Sequence, residues 1–249
     1  MLLQKFKRNV YSQNGEDGVV KEIINRLDLN NKKNLWCCEF GAWDGRHSSN
    51  TFVLVERCDF NAIYIEGDKN KFKHLLKTAK QFPKIIPINL VVERNELSIN
   101  SLDNILLKTK IPKDFDILSI DIDSYDLDVW ESLKNYKPKI VIIEINSSIL
   151  PGILQRHDSK TQGNSFSSTL SVAKNKGYKL VCHLGNCIFV REDLINFLKI
   201  DDKFFDHPEL LFQNDWLNEK NNYLKKIFIK IIPNFLLTFL RNLKRKILN

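Results

Sequence analysis

Five acids and three glycines in this 249-residue chain are spaced so that they could meet along one edge of a sheet. Glu39, Gly41 and Gly45 close the stretch Leu35-Trp36-Cys37-Cys38-Glu39-Phe40-Gly41-Ala42-Trp43-Asp44-Gly45. Glu66 and Gly67 follow the apolar run Ala62–Ile65. Asp121 and Asp123 lie at the end of Phe115–Asp123, and Glu144 and Asn146 at the end of the run that starts at Lys139. A carboxylate at a strand end offers two oxygens, so it can hold a diol, an ammonium group or, with others, a hard metal ion. A glycine turn lets the backbone come close to a ligand. Each feature alone is ordinary, since an acid at a strand end is commonly a turn residue. Their joint order is what carries information.

The elements that must position these residues are legible as apolar runs. A run without polar alternation suits a strand buried on both faces. Strands are expected at 35–40, 62–66, 85–88, 115–123 and 139–144. Helices are expected after residue 18, up to Arg57, and at 69–81, 101–109, 128–133 and 166–176. The run 177–182, the turn pair Gly185-Asn186 and the run 187–190 read as an antiparallel hairpin. Five β–α steps and a hairpin predict an α/β sheet with helices on both faces, which binds ligands at the carboxyl ends of its strands. The polar loop Tyr11–Gly18 precedes the first helix, which Ser12 or Asn14 can cap. It either caps that helix and no more or lies over a ligand, with Gln13 or Glu16 contributing. The stretch 146–165 has no periodicity and contains His157. Loops of that length are frequently lids, and His157 either reaches a substrate or is a surface histidine without a role.

Composition narrows the classes. The net charge is +8, but residues 223–249 hold seven cations and no acid, which leaves +1 for all that precedes. The body therefore lacks the broad basic footprint of a nucleic-acid binder. The start, MLLQKFKRNVYSQ, has no apolar core of secretory length. Cys37 and Cys38 adjoin on a strand and should point to opposite faces as reduced packing residues in a cytoplasmic protein. Cys182 and Cys187 flank the hairpin turn and could face each other. The segment 223–249 mixes its cations with bulky apolar residues, and its longest charge-free stretch, Ile231–Leu240, is half the roughly 20 residues a transmembrane helix needs. Either it lies in the plane of the inner membrane surface, or its apolar stripe packs on the body or on a second copy in a homodimer. The expected division is a domain over 1–200 and a helical extension over 201–249.

The turn after the first strand lacks the G-x-G-x-x-G spacing of a dinucleotide site. It fits the E/D-x-G-x-G-x-G turn that wraps S-adenosylmethionine, with Trp43 standing at the middle glycine. Trp43 is expected to pack outside that turn. Glu66 could accept both ribose hydroxyls of an adenosine. Asp121 and Asp123 could hold an ammonium group, bind a metal or take a proton. Asp121, Asp123, Glu144 and Asn146 could share a Mg²⁺ ion through oxygen ligands. The alternative is that Asp121 binds the cofactor and Glu144 caps a loop.

The segments SQNGEDG, CCEFGAWDGRHSSNT, AIYIEGD, FDILSIDID, VIIEIN and GYKLVCHLGNCIFV together resemble the FkbM-like class I S-adenosylmethionine-dependent methyltransferases, over about residues 11–191. The resemblance implies a Rossmann-like, seven-stranded mixed sheet in the order 3-2-1-4-5-7-6 with its last strand antiparallel. It implies cofactor contacts at Gly41, Asp44, Gly45, Glu66 and Asp121, with Asn50 and Asn89 as weaker correspondences. Gln13, Glu39, Ala42 and Gly67 complete the candidate cofactor set. It further implies O-methylation of a sugar or other small polar acceptor, lipid-linked glycans included. A hydroxyl acceptor needs a base or a metal, for which Asp121, Asp123, Glu144, Asn146 and His157 are candidates. The sequence departs from the pattern at Ser124-Tyr125, where relatives commonly have a glycine, and this bears on the acceptor pocket. Two other readings stay open: a metal-dependent nucleotide-sugar glycosyltransferase using Asp121-x-Asp123, and a non-catalytic scaffold on the same fold.

Overall fold

A computed structural model describes residues 2–214. Seven strands form one sheet: β1 (Trp36–Phe40), β2 (Asn61–Ile65), β3 (Ile85–Ile88), β4 (Ile117–Ile120), β5 (Ile140–Glu144), β6 (Tyr178–His183) and β7 (Asn186–Arg191). Their order is β3-β2-β1-β4-β5-β7-β6. The first five pair in parallel, and β7 runs antiparallel to both β5 and β6. This is the seven-stranded Rossmann-like sheet expected from the sequence.

Helices α1 (Glu16–Arg26), α2 (Phe52–Arg57) and α3 (Lys69–Gln81) supply one core, and α4 (Leu102–Leu107), α5 (Asp126–Ser132) and α6 (Phe166–Asn175) the other. Successive strand residues part between them. Cys37, Ala62, Tyr64, Ile140 and Ile142 face the first core, while Cys38, Ile63, Ile65, Val141 and Ile143 face the second. That two-sided burial is why these strands read as continuous apolar runs. All five cysteines are free thiols. Cys182 sits opposite Ile188, and Cys187 opposite His183, so the hairpin register keeps the two thiols from facing each other.

Two local expectations change. Gly15, with φ 104°, holds the N-cap position of α1, although the Ser12 hydroxyl still accepts from the Asp17 amide (3.1 Å). The acids of the first turn bind the preceding loop in return. Asp17 Oδ2 accepts from the amides of Val10, Tyr11 and Ser12 (2.7–2.8 Å), and Glu16 from the amide of Asn14 (2.8 Å) and from Asn186 Nδ2 on β7 (3.3 Å). The loop that carries Gln13 is thereby tied to the sheet. The strand expected to reach Asp123 stops at Ile120, three residues early.

The compact body runs to Gln213. In the region beyond residue 200, α7 (Lys203–Asp206) and a following 3₁₀ turn bury Phe204 and Leu211 in the second core. Phe212 stacks on His183 (ring centroids 5.0 Å apart, 13° between planes), and the Gln213 amide donates to His183 Nδ1 (2.9 Å). Burial pushes the His183 imidazole down to about 3, so it stays neutral and can accept that bond. The basic segment 223–249 lies outside the described residues. Among the described residues no helix is long and apolar enough to cross a membrane.

Candidate active site

The strand ends open onto a cleft of about 850 Å³. Eight of the expected residues line it: Gln13, Glu39, Gly41, Glu66, Gly67, Asp121, Asp123 and Glu144. They come from the α1 approach loop and from the ends of β1, β2, β4 and β5. Ile65, Leu90, Val91, Val92 and Ile122 add an apolar wall.

The turn after β1 is held on both sides. The amides of Gly41 and Ala42 donate to the Ile65 carbonyl (3.1 and 3.2 Å), which ties the turn to β2. Gly41 has φ 80°, and a Cβ there would lie 1.7 Å from the Asp121 carbonyl oxygen, so the turn also abuts the end of β4. Ala42 is buried and Gly45, with φ 76°, packs on Leu75 and Tyr64. Asp44 caps the next turn by accepting from the amides of Arg46 (2.9 Å) and His47 (2.7 Å). These three shape the turn without lining the cleft. Trp43 differs from expectation: it lines the cleft with 41% of its surface exposed, and its backbone is left-handed at φ 46°. That conformation aims its amide at Glu66.

Glu66 is only 6% exposed and holds two backbone amides. Its Oε2 accepts from Trp43 (2.8 Å) and its Oε1 from Asp68 (2.7 Å). Each carboxylate oxygen keeps further accepting capacity for a ligand donor. Asn89 does not line the cleft. Its Nδ2 donates to the Glu66 carbonyl (2.7 Å) and so steadies this strand end. Glu39 serves the loop more than the cleft: it accepts from Ser49 Oγ (2.9 Å) and from Thr51 Oγ1. Burial pushes Glu39 up to about 7, against the lowering effect of those hydroxyls. Asn50 is buried away from the cleft, donating to Ser119 Oγ (3.1 Å).

Asp121, Asp123 and Glu144 converge, with one carboxylate oxygen of each within 4.8 Å of the others. Beyond β4 the chain turns sharply, and Asp123 takes φ 58°. Asp126 pins this turn by accepting from the amides of Ile122 (2.8 Å) and Ser124 (2.9 Å). Burial first, then the Glu144 charge, pushes Asp121 up to about 8. Burial, then Asp123, pushes Glu144 up to about 7. Asn146 is not a fourth member. Its Oδ1 accepts from the Ser148 amide (3.1 Å) and its Nδ2 donates to the Gln162 carbonyl (3.0 Å), which orders the β5–α6 loop. His157 does not line the cleft either. Its ring meets Tyr125 edge-on (4.7 Å between centroids), and its Nδ1 accepts from the Gly163 amide (3.2 Å).

These raised acids make a prediction about pH. A carboxyl raised in the folded state binds its proton more tightly there than in the unfolded chain. Stability is therefore lost as pH rises from the unfolded value, about 4, through about 8. A cationic ligand beside the acids favours their ionised form and opposes that loss. The melting temperature of the free protein should fall between about pH 6 and about pH 9, while the rise produced by a cationic ligand bound beside these acids should grow. Asp121→Asn should flatten both trends in differential scanning calorimetry. An equal ligand-induced rise at both pH values would count against a cationic ligand on these acids.

Several cleft residues carry no local signal in the sequence. The wall Leu90–Val92 and Arg94 sit in a stretch without periodicity after a four-residue strand, and Tyr125 stands out only as a departure from a glycine. Trp43 reveals its amide contact with Glu66 only once the two strand ends are adjacent.

The strand order, the antiparallel β7 and the cleft at the carboxyl edge define the fold of class I methyltransferases. No family model and no curated protein matches the chain. Solved structures similar to it include M. capricolum TrmK in complex with S-adenosylhomocysteine, at 17% identity over 88% of this chain and 92% of that one, TM-score 0.44. The N-terminal domain of EvdMO1 with S-adenosylhomocysteine bound is 11% identical over 73% and 82%, TM-score 0.46. An O-methyltransferase family protein from Burkholderia thailandensis is 11% identical over 71% and 58%, TM-score 0.44. The similarity is one of fold, and the sheet order stands independently of it.

Proposed function

We propose that this chain is an S-adenosylmethionine-dependent methyltransferase of the FkbM-like kind, which O-methylates a sugar or another small polar acceptor. The observation that carries this reading is the convergence on one cleft of the amide-held Glu66, the bare backbone of Gly41 and the Asp121 acid group. Glu66 can accept a ribose diol, and the apolar wall Leu90–Val92 can cover an adenine. The acids at the ends of β4 and β5 repel one another, so the free cleft favours a cation. S-adenosylmethionine carries both an ammonium and a sulfonium group and supplies the methyl. The protein's part is to hold an acceptor hydroxyl in line with that methyl. A cation bound beside Asp121 and Glu144 favours their ionised form, and one of the pair can then accept the hydroxyl proton near physiological pH. Calorimetric titration with S-adenosylhomocysteine tests the reading, and absence of binding would sink it.

The same three carboxylates support a second reading. Their oxygens are close enough to share a hard cation such as Mg²⁺. A nucleotide-sugar glycosyltransferase would use the ion to hold a diphosphate. UDP-glucose binding that appears only with Mg²⁺, in a protein that ignores S-adenosylhomocysteine, would favour it. Methyl transfer that survives dialysis against EDTA would remove the metal from the mechanism.

A further inference from the structure

We infer that the acceptor carries an anionic group, a carboxylate or a phosphate, and that Arg94 recognises it. The inference rests on the methyltransferase reading and names the acceptor class of that same cleft. Arg94 lies on the loop after β3 and lines the cleft, with its guanidinium carbon 4.0 Å from the centroid of the Tyr125 ring. Tyr125 lines the cleft two residues beyond Asp123 and also receives the His157 ring. The cation thus lies against the turn after β4, which also carries Asp123.

A guanidinium lying on an aromatic ring keeps its in-plane N–H edges available for two parallel bonds to a carboxylate or phosphate. Two acids beside it are engaged elsewhere. Asp128 and Glu131 of α5 share a surface hollow with Arg94, yet both face Arg156 of the β5–α6 loop, at 3.7 and 2.6 Å. Among the described residues Arg94 forms no ion pair: the salt bridges on this side of α5 are those of Arg156. A second arginine serves the structural role and leaves Arg94 to the cleft.

The charge layout also orients such an acceptor. Asp121, Asp123 and Glu144 repel an anionic group, and Arg94 attracts it, so the anion is held at Tyr125 while an uncharged hydroxyl is presented to the acids. A neutral sugar would gain no such orientation.

The test titrates full-length protein, free and saturated with S-adenosylhomocysteine, with glucuronate, glucose 6-phosphate and glucose. At least one anionic sugar should bind, roughly tenfold or more tightly than glucose, the scale of one charge-assisted pair. Arg94→Gln should erase that preference, Arg94→Lys should keep part of it, and neither should change S-adenosylhomocysteine affinity. The two anions tell a carboxylate site from a phosphate site. The inference is overturned if neither anion binds, if glucose binds as well, or if Arg94→Gln binds the anions as wild type does. Loss of S-adenosylhomocysteine binding to wild type would instead strike the methyltransferase reading, and the two failures are read in separate titrations.

Discussion

Gly41→Ala is expected to destabilise the body by about 3–5 kcal/mol, at the severe end of single substitutions, and to abolish S-adenosylhomocysteine binding. The added methyl would meet the Asp121 carbonyl oxygen at 1.7 Å and its carbon at 2.8 Å, both backbone atoms at the end of β4 that no rotamer change can move. The φ of 80° adds strain for any residue with a Cβ. Relief requires the β1 turn to move away from β4, and that breaks the two amide bonds to Ile65 as well. Gly152→Ala is the matched control. It shares a positive φ, 94°, but its Cβ would meet nothing within 4 Å, so it should cost only about 1–2 kcal/mol of backbone strain. Urea midpoints for the two variants separate the steric cost from the conformational one. Equal losses would mean that the close approach of β1 to β4 contributes nothing.

Glu66→Ala is expected to weaken S-adenosylhomocysteine binding by at least about 100-fold, the value of two charge-assisted hydrogen bonds to a ribose diol. Its effect on the free protein should be visible too. The amides of Trp43 and Asp68 would lose their acceptor at a site only 6% exposed, and the turn that Trp43 belongs to would loosen. Glu66→Gln keeps one carbonyl oxygen but turns an NH₂ group toward one of those amides, so it should fall between wild type and alanine in affinity. Calorimetry on the three proteins gives the series directly. Binding to the alanine variant within threefold of wild type would remove Glu66 from the cofactor site.

Much of this architecture was legible in the chain because strands buried on both faces write themselves as apolar runs. Trp36–Phe40, Asn61–Ile65 and Ile140–Glu144 lie at or within a residue of the expected bounds. The Gly185-Asn186 signal likewise placed the hairpin, and with it the antiparallel β7, although the two loop residues are Leu184 and Gly185 and Asn186 opens β7. Acids and glycines just after such runs must lie at the sheet's carboxyl edge, since the strand direction leaves no other place for them. That reasoning put Glu39, Gly41, Glu66, Asp121, Asp123 and Glu144 in one region, and the cleft contains all six.

What spacing could not decide was which of these side chains face a ligand. Asp44, Gly45 and Asn50 occupy suitable positions but spend their contacts on the turn, on Leu75 and on Ser119. Asn146 follows Glu144 as Asp123 follows Asp121, yet it turns to Gln162 and Ser148, because the long loop beyond it supplies closer hydrogen-bond partners. Asp123 reaches the acid group from a left-handed turn pinned by Asp126, not from the strand end its apolar run implied. Arg94 and Tyr125 are 31 positions apart and meet because β3 and β4 end at the same edge, where α5 packs its Asp128 and Glu131 against Arg156. Local patterns of burial are written residue by residue along a chain. The partner that completes a carboxylate or a guanidinium comes from whichever distant segment the sheet brings beside it, and only the tertiary structure states that choice.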